Sequence, residues 1–219
     1  MRFFDKISAV LGLAGLLLVQ PVFLVAQEVP DPQIELDKKA DPLVAPQVNE
    51  PAGGMGAVRS NDELDNLFDE LRKQTKTSSA QATAVKIWRE WYQSGSANIN
   101  LLMYYTSRAM NQKNYPAAID LLDQITTLDP EFAEGWNRRA TVHYYMGDFS
   151  RSLADIETTL SLEPRHFGAL SGLAAILQRL DREEEALNTW YKVLKIYPAN
   201  DSAQKAVIQL EEELAGSRT

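Results

Sequence analysis

Residues 130–164, PEFAEGWNRRATVHYYMGDFSRSLADIETTLSLEP, have the pattern of two amphipathic helices joined by a tight turn. In the first half, residues at three- and four-residue steps fall on one side of a helix: Phe132, Trp136, Ala140, His143 and Tyr144. Gly147 and Asp148 favour a helix end followed by a turn. Pro164 then ends the second helix, because proline has no amide hydrogen to donate.

This helical pair recurs along the chain. Pro130, Pro164 and Pro198 are 34 residues apart, and each closes a similar run of residues. Aligning the units on these prolines produces one column of small residues and, four residues later, one of large residues. The small residues are Ala118, Ser152 and Ala186, and the large ones are Leu122, Ile156 and Trp190. We expect the small column to allow close approach of two helices.

The period and the motif resemble the tetratricopeptide repeat (TPR), a 34-residue helix-turn-helix with W-x2-L-G-x2-Y, A-x3-F and P. The middle unit keeps Trp136 and Pro164, and the third keeps Leu173, Ala186 and Pro198. The resemblance implies an all-α protein, a right-handed α-solenoid of stacked repeats with a C-terminal capping helix.

The N-terminal segment 1–26 is typical of an export signal. Arg2 and Lys6 lie near its start, an apolar run covers 7–19, and Ala26 precedes the expected cut. Export predicts a periplasmic protein that has no membrane contact after cleavage. An uncleaved membrane anchor over 7–25 remains the alternative, because that length is close to the roughly 17–25 residues that a bilayer requires.

Residues 27–59 are rich in proline and glycine and predict a disordered linker. Ser60 and Glu63 form a capping box that starts the helical region. From there, 60–98 is predicted as a degenerate N-terminal repeat, with Ala84 in the column of Ala118. The three clear repeats are 99–132, 133–166 and 167–200, and 201–219 is the capping helix and tail. Asn98 and Ser202 are the expected caps of the helices that follow them.

Composition argues against several functions. The formal net charge is −8, and it becomes one unit more negative once Arg2, Asp5 and Lys6 leave with the signal. Such a chain repels phosphate backbones, so nucleic acid is excluded as a partner. The chain has no cysteine, which excludes disulfides, thiolate chemistry and a lipid-attachment cysteine.

Catalytic and metal-binding motifs are also missing from the sequence. The only histidines are His143, expected in the core or at a groove edge, and His166, expected on the surface. No cofactor or metal is predicted, and the protein is predicted not to be an enzyme. A hydrolase that uses His143 with Glu134 or Asp148 is kept as a remote alternative.

The resemblance further implies which residues line the concave groove of the repeats, and hence a peptide-binding site: Met103, Ser107, Asn111, Asn137, Thr141, Tyr144, Tyr145, Ser171, Gln178 and Arg179. Chaperone-binding family members hold a terminal carboxylate between lysine and asparagine at two of these columns. Here the columns contain no lysine, so that clamp is absent.

The whole chain is also similar to small exported repeat proteins of alphaproteobacteria, in its signal and in stretches such as LDNLFDELRK and WREWYQSGSA. That resemblance implies a non-enzymatic envelope protein. The leading hypothesis is therefore a periplasmic scaffold that binds a peptide or protein segment and supports cell-envelope integrity. The alternative is a structural protein that associates with itself, for instance as a homodimer.

Overall fold

The computed structural model describes residues 61–216, and over that range the chain forms nine α-helices and no strand. They are α1 Asn61–Lys73, α2 Thr77–Tyr92, α3 Ala97–Asn111, α4 Tyr115–Leu128, α5 Ala133–Tyr145, α6 Phe149–Leu162, α7 Phe167–Arg179, α8 Glu183–Ile196 and α9 Asp201–Gly216. The predicted signal, linker and Ser60 cap lie outside the described residues. None of the nine helices is long and apolar enough to cross a bilayer.

Helices α3 to α8 form three consecutive pairs with the same connections. Three residues join the two helices of each pair, and four residues join each pair to the helix that follows it. From α3 onward each helix packs against the next along the chain, and α5 also contacts α7. The predicted all-α helical-repeat solenoid is thereby confirmed.

The turn within each pair has one conformation, although its sequence varies. Its middle residue is Lys113, Gly147 or Asp181, and the φ angles are 55°, 76° and 55°. The amide of the next residue then donates to a carbonyl five residues earlier, as in Asp148 N to His143 O at 2.9 Å. This bond pattern caps the first helix, and glycine adopts the left-handed angle without the cost that a side chain adds.

The column of small residues lies in the core, as predicted. Ala118, Ser152 and Ala186 are all buried. The Ser152 hydroxyl also donates to the carbonyl of Ala140 at 2.8 Å, which joins the two helices of the middle pair directly. A larger side chain at any of these positions would push the paired helices apart.

Two predicted helix caps are wrong by a few residues. Helix α3 begins at Ala97 after Ser96, so Asn98 lies inside its first turn. Helix α9 begins at Asp201, where the side chain of Asn200, rather than Ser202, accepts from the amide of Ala203 at 2.9 Å. In both cases a polar residue that follows the true cap resembles a cap itself.

The N-terminal hairpin, which we define as α1 and α2, is not placed as the degenerate first repeat that the period predicts. Its connections have the same lengths as those of the repeats. Nevertheless, α1 packs against α8 and α2 packs against α5. Phe68, Trp88 and Trp91 of the hairpin share a core with Phe167 and Trp190 of the third pair. The hairpin therefore folds back over the repeats, where its large rings find an apolar surface to cover.

Candidate functional site

The first helices of the three pairs, α3, α5 and α7, present a common surface, here called the first-helix face. The ten residues predicted to line a groove belong to it. The structure divides them into a covered part near the N-terminal hairpin, an accessible part at the helix C-termini, and two partly buried residues that belong to neither, Thr141 and Ser171.

The covered part includes Met103, Ser107 and Asn137, whose exposed fractions are 0%, 7% and 7%. Helix α2 reaches this part through Tyr92, whose hydroxyl is hydrogen-bonded to the Ser107 hydroxyl and lies 3.5 Å from the Met103 carbonyl oxygen. Met103 and Ser107 thus lie beneath α2, and Asn137 is buried beside Glu134, so none of the three lines an open surface here. Their role in peptide binding stays a prediction.

Trp88 of α2 packs against Gly168 at the start of α7. A Cβ at position 168 would lie 2.8 Å from Cζ2 of Trp88, closer than real Cβ contacts come. The absence of a side chain at Gly168 is thus what admits the indole ring. Trp88 also makes an edge contact with the Phe167 ring, at a centroid distance of 5.5 Å.

His166, expected on the surface, is completely buried. Its ring stacks on Trp91 at 4.0 Å between centroids, with 11° between the planes. Its Nδ1 accepts from the amide of Ala169 at 3.0 Å and so caps α7. The Nε2 therefore carries the hydrogen and donates to Glu134 Oε2 at 3.1 Å. Capping and stacking together explain why this loop residue is buried.

Glu134 is the centre of a buried polar cluster that includes His166. Its carboxylate accepts from Arg138 Nε and from Asn137 Nδ2, both at 3.0 Å. Glu134 and Arg138 are each 1% exposed. The Arg138 guanidinium lies 4.9 Å from the centroid of the Tyr92 ring. The four-residue spacing of Glu134 and Arg138 is visible in the sequence as a helical ion pair. The sequence does not show that this pair is buried or that it is linked to His166.

The accessible part lies at the ends of the three first helices. It consists of Asn111 and Arg179, which are exposed, and of Tyr144, Tyr145 and Gln178, which are half-buried. Arg179 is exposed; its Nε donates to the Tyr144 hydroxyl at 2.9 Å and its guanidinium lies 5.4 Å from that ring's centroid. Tyr145 stacks on Tyr115 with 15° between the rings. Gln178 accepts from Trp190 Nε1 at 3.1 Å. These contacts hold the aromatic and arginine side chains in fixed positions.

Thr141 and Ser171, the two remaining predicted residues, are partly buried. Each hydroxyl donates to a carbonyl of its own helix, Thr141 to Asn137 at 3.0 Å and Ser171 to Phe167 at 2.8 Å. Whether any of the ten residues contacts a partner stays a prediction.

A second polar site lies between α4, α5 and α6, in a pocket of about 280 Å³. Arg139 donates to both oxygens of Asp155, at 2.9 and 2.8 Å, and to Asp123 at 2.8 Å. The hydrogen bond to Asp155 is the main reason why the pKa of Arg139 is raised. With the charges paired in this way, the pocket has little net charge to attract an ion.

His143 lines the same pocket and is 4% exposed, which confirms its expected place in the core. Burial lowers its pKa from the ordinary value, although the charge of Asp155 opposes this shift. The catalytic pairing of His143 with Glu134 or Asp148 is not formed. Glu134 belongs to the cluster with Arg138 and His166, while Asp148 caps α6 and pairs with Arg151.

Within residues 61–216, no group of three or more histidine, aspartate or glutamate side chains is arranged to hold a metal ion. The glutamate runs at 183–185 and 211–213 lie on helices, where consecutive side chains point in different directions.

Comparison with known sequences agrees with the helical pairs. A family model described as Tetratricopeptide repeat matches residues 137–201. A TPR repeat-containing protein of Rhizobium etli is 41% identical over 219 residues, which is 100% of this chain and 98% of the relative. The small glutamine-rich tetratricopeptide repeat-containing protein 2 of Mycosarcoma maydis is 25% identical over 51% of this chain and 32% of its own length.

Solved structures share the fold. The first TPR of Spaghetti (RPAP3), bound to the HSP90 peptide SRMEEVD, has a TM-score of 0.51 at 23% identity and covers 53% of this chain and 93% of its own. The TPR2B domain of yeast Sti1, in a complex with pHsp70, has a TM-score of 0.50 at 14% identity and covers 54% of this chain and 99% of its own.

Proposed function

This chain belongs to the tetratricopeptide-repeat family, and we propose that it is a non-enzymatic periplasmic scaffold that binds a protein segment on its first-helix face. In this role it supports the integrity of the cell envelope. Proteins of this family mediate protein–protein interactions: the RPAP3 domain named above is bound to an HSP90 peptide, and the Sti1 domain is in a complex with pHsp70.

The observation that carries the proposal is the accessible part of the first-helix face. Tyr144, Tyr145 and Arg179 come from two successive first helices and form a strip held by the Arg179–Tyr144 hydrogen bond. Tyrosine and arginine are enriched in protein interfaces because each combines a large contact area with polar groups. Side chains that are already positioned lose little conformational freedom when a partner binds.

The periplasmic location is supported by the charged and apolar pattern of residues 1–26. The Rhizobium etli relative aligns over the whole chain and therefore over this segment too. The acidic net charge argues for a protein partner rather than for nucleic acid.

The test is capture of partners from an envelope extract by the full chain, followed by mass spectrometry. The variant Tyr145→Ala/Arg179→Ala should capture about tenfold less of each specific partner, the loss expected for about 1.4 kcal/mol of binding energy. The control Tyr191→Ala/Arg182→Ala removes the same side-chain types from exposed positions elsewhere and should capture as the wild type does. Equal capture by the two variants would contradict the proposed site.

A structural role through self-association is the second candidate. It is favoured by Leu101 and Tyr105 on α3, which are 51% and 46% exposed and lie one helical turn apart. Light scattering over a wide concentration range decides between the two functions. A mass that stays monomeric at every concentration rules self-association out.

A further inference from the structure

We propose that the first-helix face is a receptor for an amphipathic α-helix with an aromatic stripe, and that α2 is its resident occupant. A partner's helix of the same kind binds by replacing the N-terminal hairpin. This proposal rests on the proposed function, and it specifies the class of partner and a way in which access to the site is controlled.

Helix α2 has the contacts of a bound ligand. Trp88, Trp91 and Tyr92 lie three and four positions apart and so share one side of the helix. Trp88 packs on Gly168 of α7, and Tyr92 bonds to Ser107 of α3. Trp91 stacks on His166, which is tied to α5 through Glu134. A single helix therefore reaches all three first helices, as helices do in grooves that recognise aromatic anchors.

The polar groups beneath α2 have partners of their own. Glu134 is paired with Arg138 and His166, and none of these three belongs to the hairpin. What α2 adds is mainly ring surface, as in the stack of Trp91 on His166. Another helix with the same spacing of aromatic residues can supply that surface. A carboxylate tail fits poorly, because Glu134 already neutralises Arg138 at the floor of the site.

The hairpin is held mainly by the aromatic core that it shares with the third pair, so a partner helix has to supply equivalent rings to replace it; its polar and covalent links are weaker constraints. Residues 93–96 join it to α3, and Gly95 there has a φ of 81° with no atom within 4 Å of the position that a Cβ would occupy. At the far end, Arg165 holds the hairpin through Asp65, which is largely exposed, and through the Phe68 ring at 4.2 Å. Exposed ion pairs of this kind contribute little.

A displaced hairpin also has a surface to which it can move. The edge of α3 exposes Leu101 and Tyr105. This is where the repeat period places a preceding repeat, and the connecting loop at 93–96 has the same four-residue length as the loops between the stacked pairs. Stacking there would cover apolar surface on both sides and offset the loss of the present contact.

The test uses the full chain with Trp88→Ala/Trp91→Ala, which should release α2 and leave the receptor face open. The probe is a labelled peptide of residues 77–92, TSSAQATAVKIWREWY, followed by fluorescence anisotropy. We expect this peptide to bind the variant at least about tenfold more tightly than the wild-type chain, whose face is occupied. The same peptide with both tryptophans replaced by alanine should bind at least about tenfold more weakly to the variant.

Glycine substitutions on α7 make a matched pair. Gly168→Ala, added to the tryptophan variant, should abolish peptide binding because its Cβ meets the place of Trp88. Gly172→Ala should leave peptide binding unchanged, because its Cβ would lie 3.6 Å from Ile156, an ordinary contact. In the otherwise wild-type chain, Gly168→Ala should raise amide exchange in 77–92 and leave 133–145 protected.

Absence of peptide binding to a tryptophan variant with wild-type helicity would overturn the proposal. If that variant fails to fold, unchanged protection of 77–92 in Gly168→Ala would overturn it instead. Failure of the proposed function is separate, because it is measured by capture through Tyr145 and Arg179. Intact capture without peptide binding would remove only the helix-exchange mechanism.

Discussion

The stacked pairs α3 to α8 and the N-terminal hairpin have the same connection lengths, yet they make different kinds of contact. Within the stack, small residues such as Ser152 lie at a fixed column and bring neighbouring helices together. The hairpin instead uses rings, with Trp91 on His166 and Trp88 on Gly168. The difference shows that a helical pair with the dimensions of a repeat does not have to stack as one.

The physical reason lies in what each contact buries. Periodic small residues let the two helices of each pair approach closely in the same way along the stack. Large aromatic residues need one particular cavity, and the glycine at 168 beside the flat ring of His166 provides it. The hairpin takes this surface and leaves Leu101 and Tyr105 of α3 exposed.

The largest expected effect is on the buried polar cluster of the stack that lies beneath the hairpin. Glu134→Ala leaves the Arg138 guanidinium buried without its carboxylate, and it also removes the acceptor of His166. We expect a loss of about 3–5 kcal/mol in the free energy of unfolding, measured by urea denaturation. Glu157→Ala, at an exposed position of α6, is the control and should change it by less than about 0.5 kcal/mol. A small effect of Glu134→Ala would mean that Glu134 is not the group that compensates the buried Arg138 guanidinium.

Within the stack, Leu122→Ala should lower the free energy of unfolding by about 2–5 kcal/mol, because a cavity remains in a closely packed core. Leu122 is fully buried, whereas Leu128 on the same helix is 65% exposed. Leu128→Ala is therefore the matched control. Similar losses for the two leucines in urea denaturation would show that this helix is not anchored through its predicted column.

A smaller effect should be confined to the hairpin. Arg165→Ala removes the ion pair with Asp65 and the stacking on Phe68. We expect a loss of about 1 kcal/mol in hairpin docking, seen as roughly fivefold faster amide exchange in 77–92. Arg165→Lys should recover part of it, because the charge remains without the planar group. If amide exchange in α5 became faster by the same factor, Arg165 would instead be stabilising the stack of repeats.

The smallest effect is a pH dependence inside the stack. Because burial lowers the pKa of His143 in the folded state, the unfolded chain takes up its proton first as the pH falls through about 6.5. Stability should therefore be higher above that pH and decline below it. The pKa of His143 is also affected by four nearby charges, those of Asp155, Asp148, Arg151 and Arg139. In His143→Gln, the midpoint of urea denaturation should depend less on pH between about pH 7.5 and pH 5.5. An unchanged slope would assign the pH dependence to other groups.

The residues of the candidate site were predictable to different degrees. The resemblance to the repeat family selected Tyr144, Tyr145 and Arg179, and they do lie together at accessible helix ends. It also selected Met103, which is buried beneath α2. His166 was missed because its burial depends on Trp91, a residue far away along the chain. A local pattern contains no information about such a contact.

By itself, the sequence determined the all-α repeat architecture, the buried columns and the turn between paired helices. These follow from local periodicity and from turn residues, which act within one or two helices. Only the tertiary structure decided where the N-terminal hairpin lies and which part of the first-helix face it covers. An apolar stripe predicts that a helix is buried on one side, but it does not predict which surface the helix packs against. That choice depends on the fit of Trp88 to Gly168 and of Trp91 to His166.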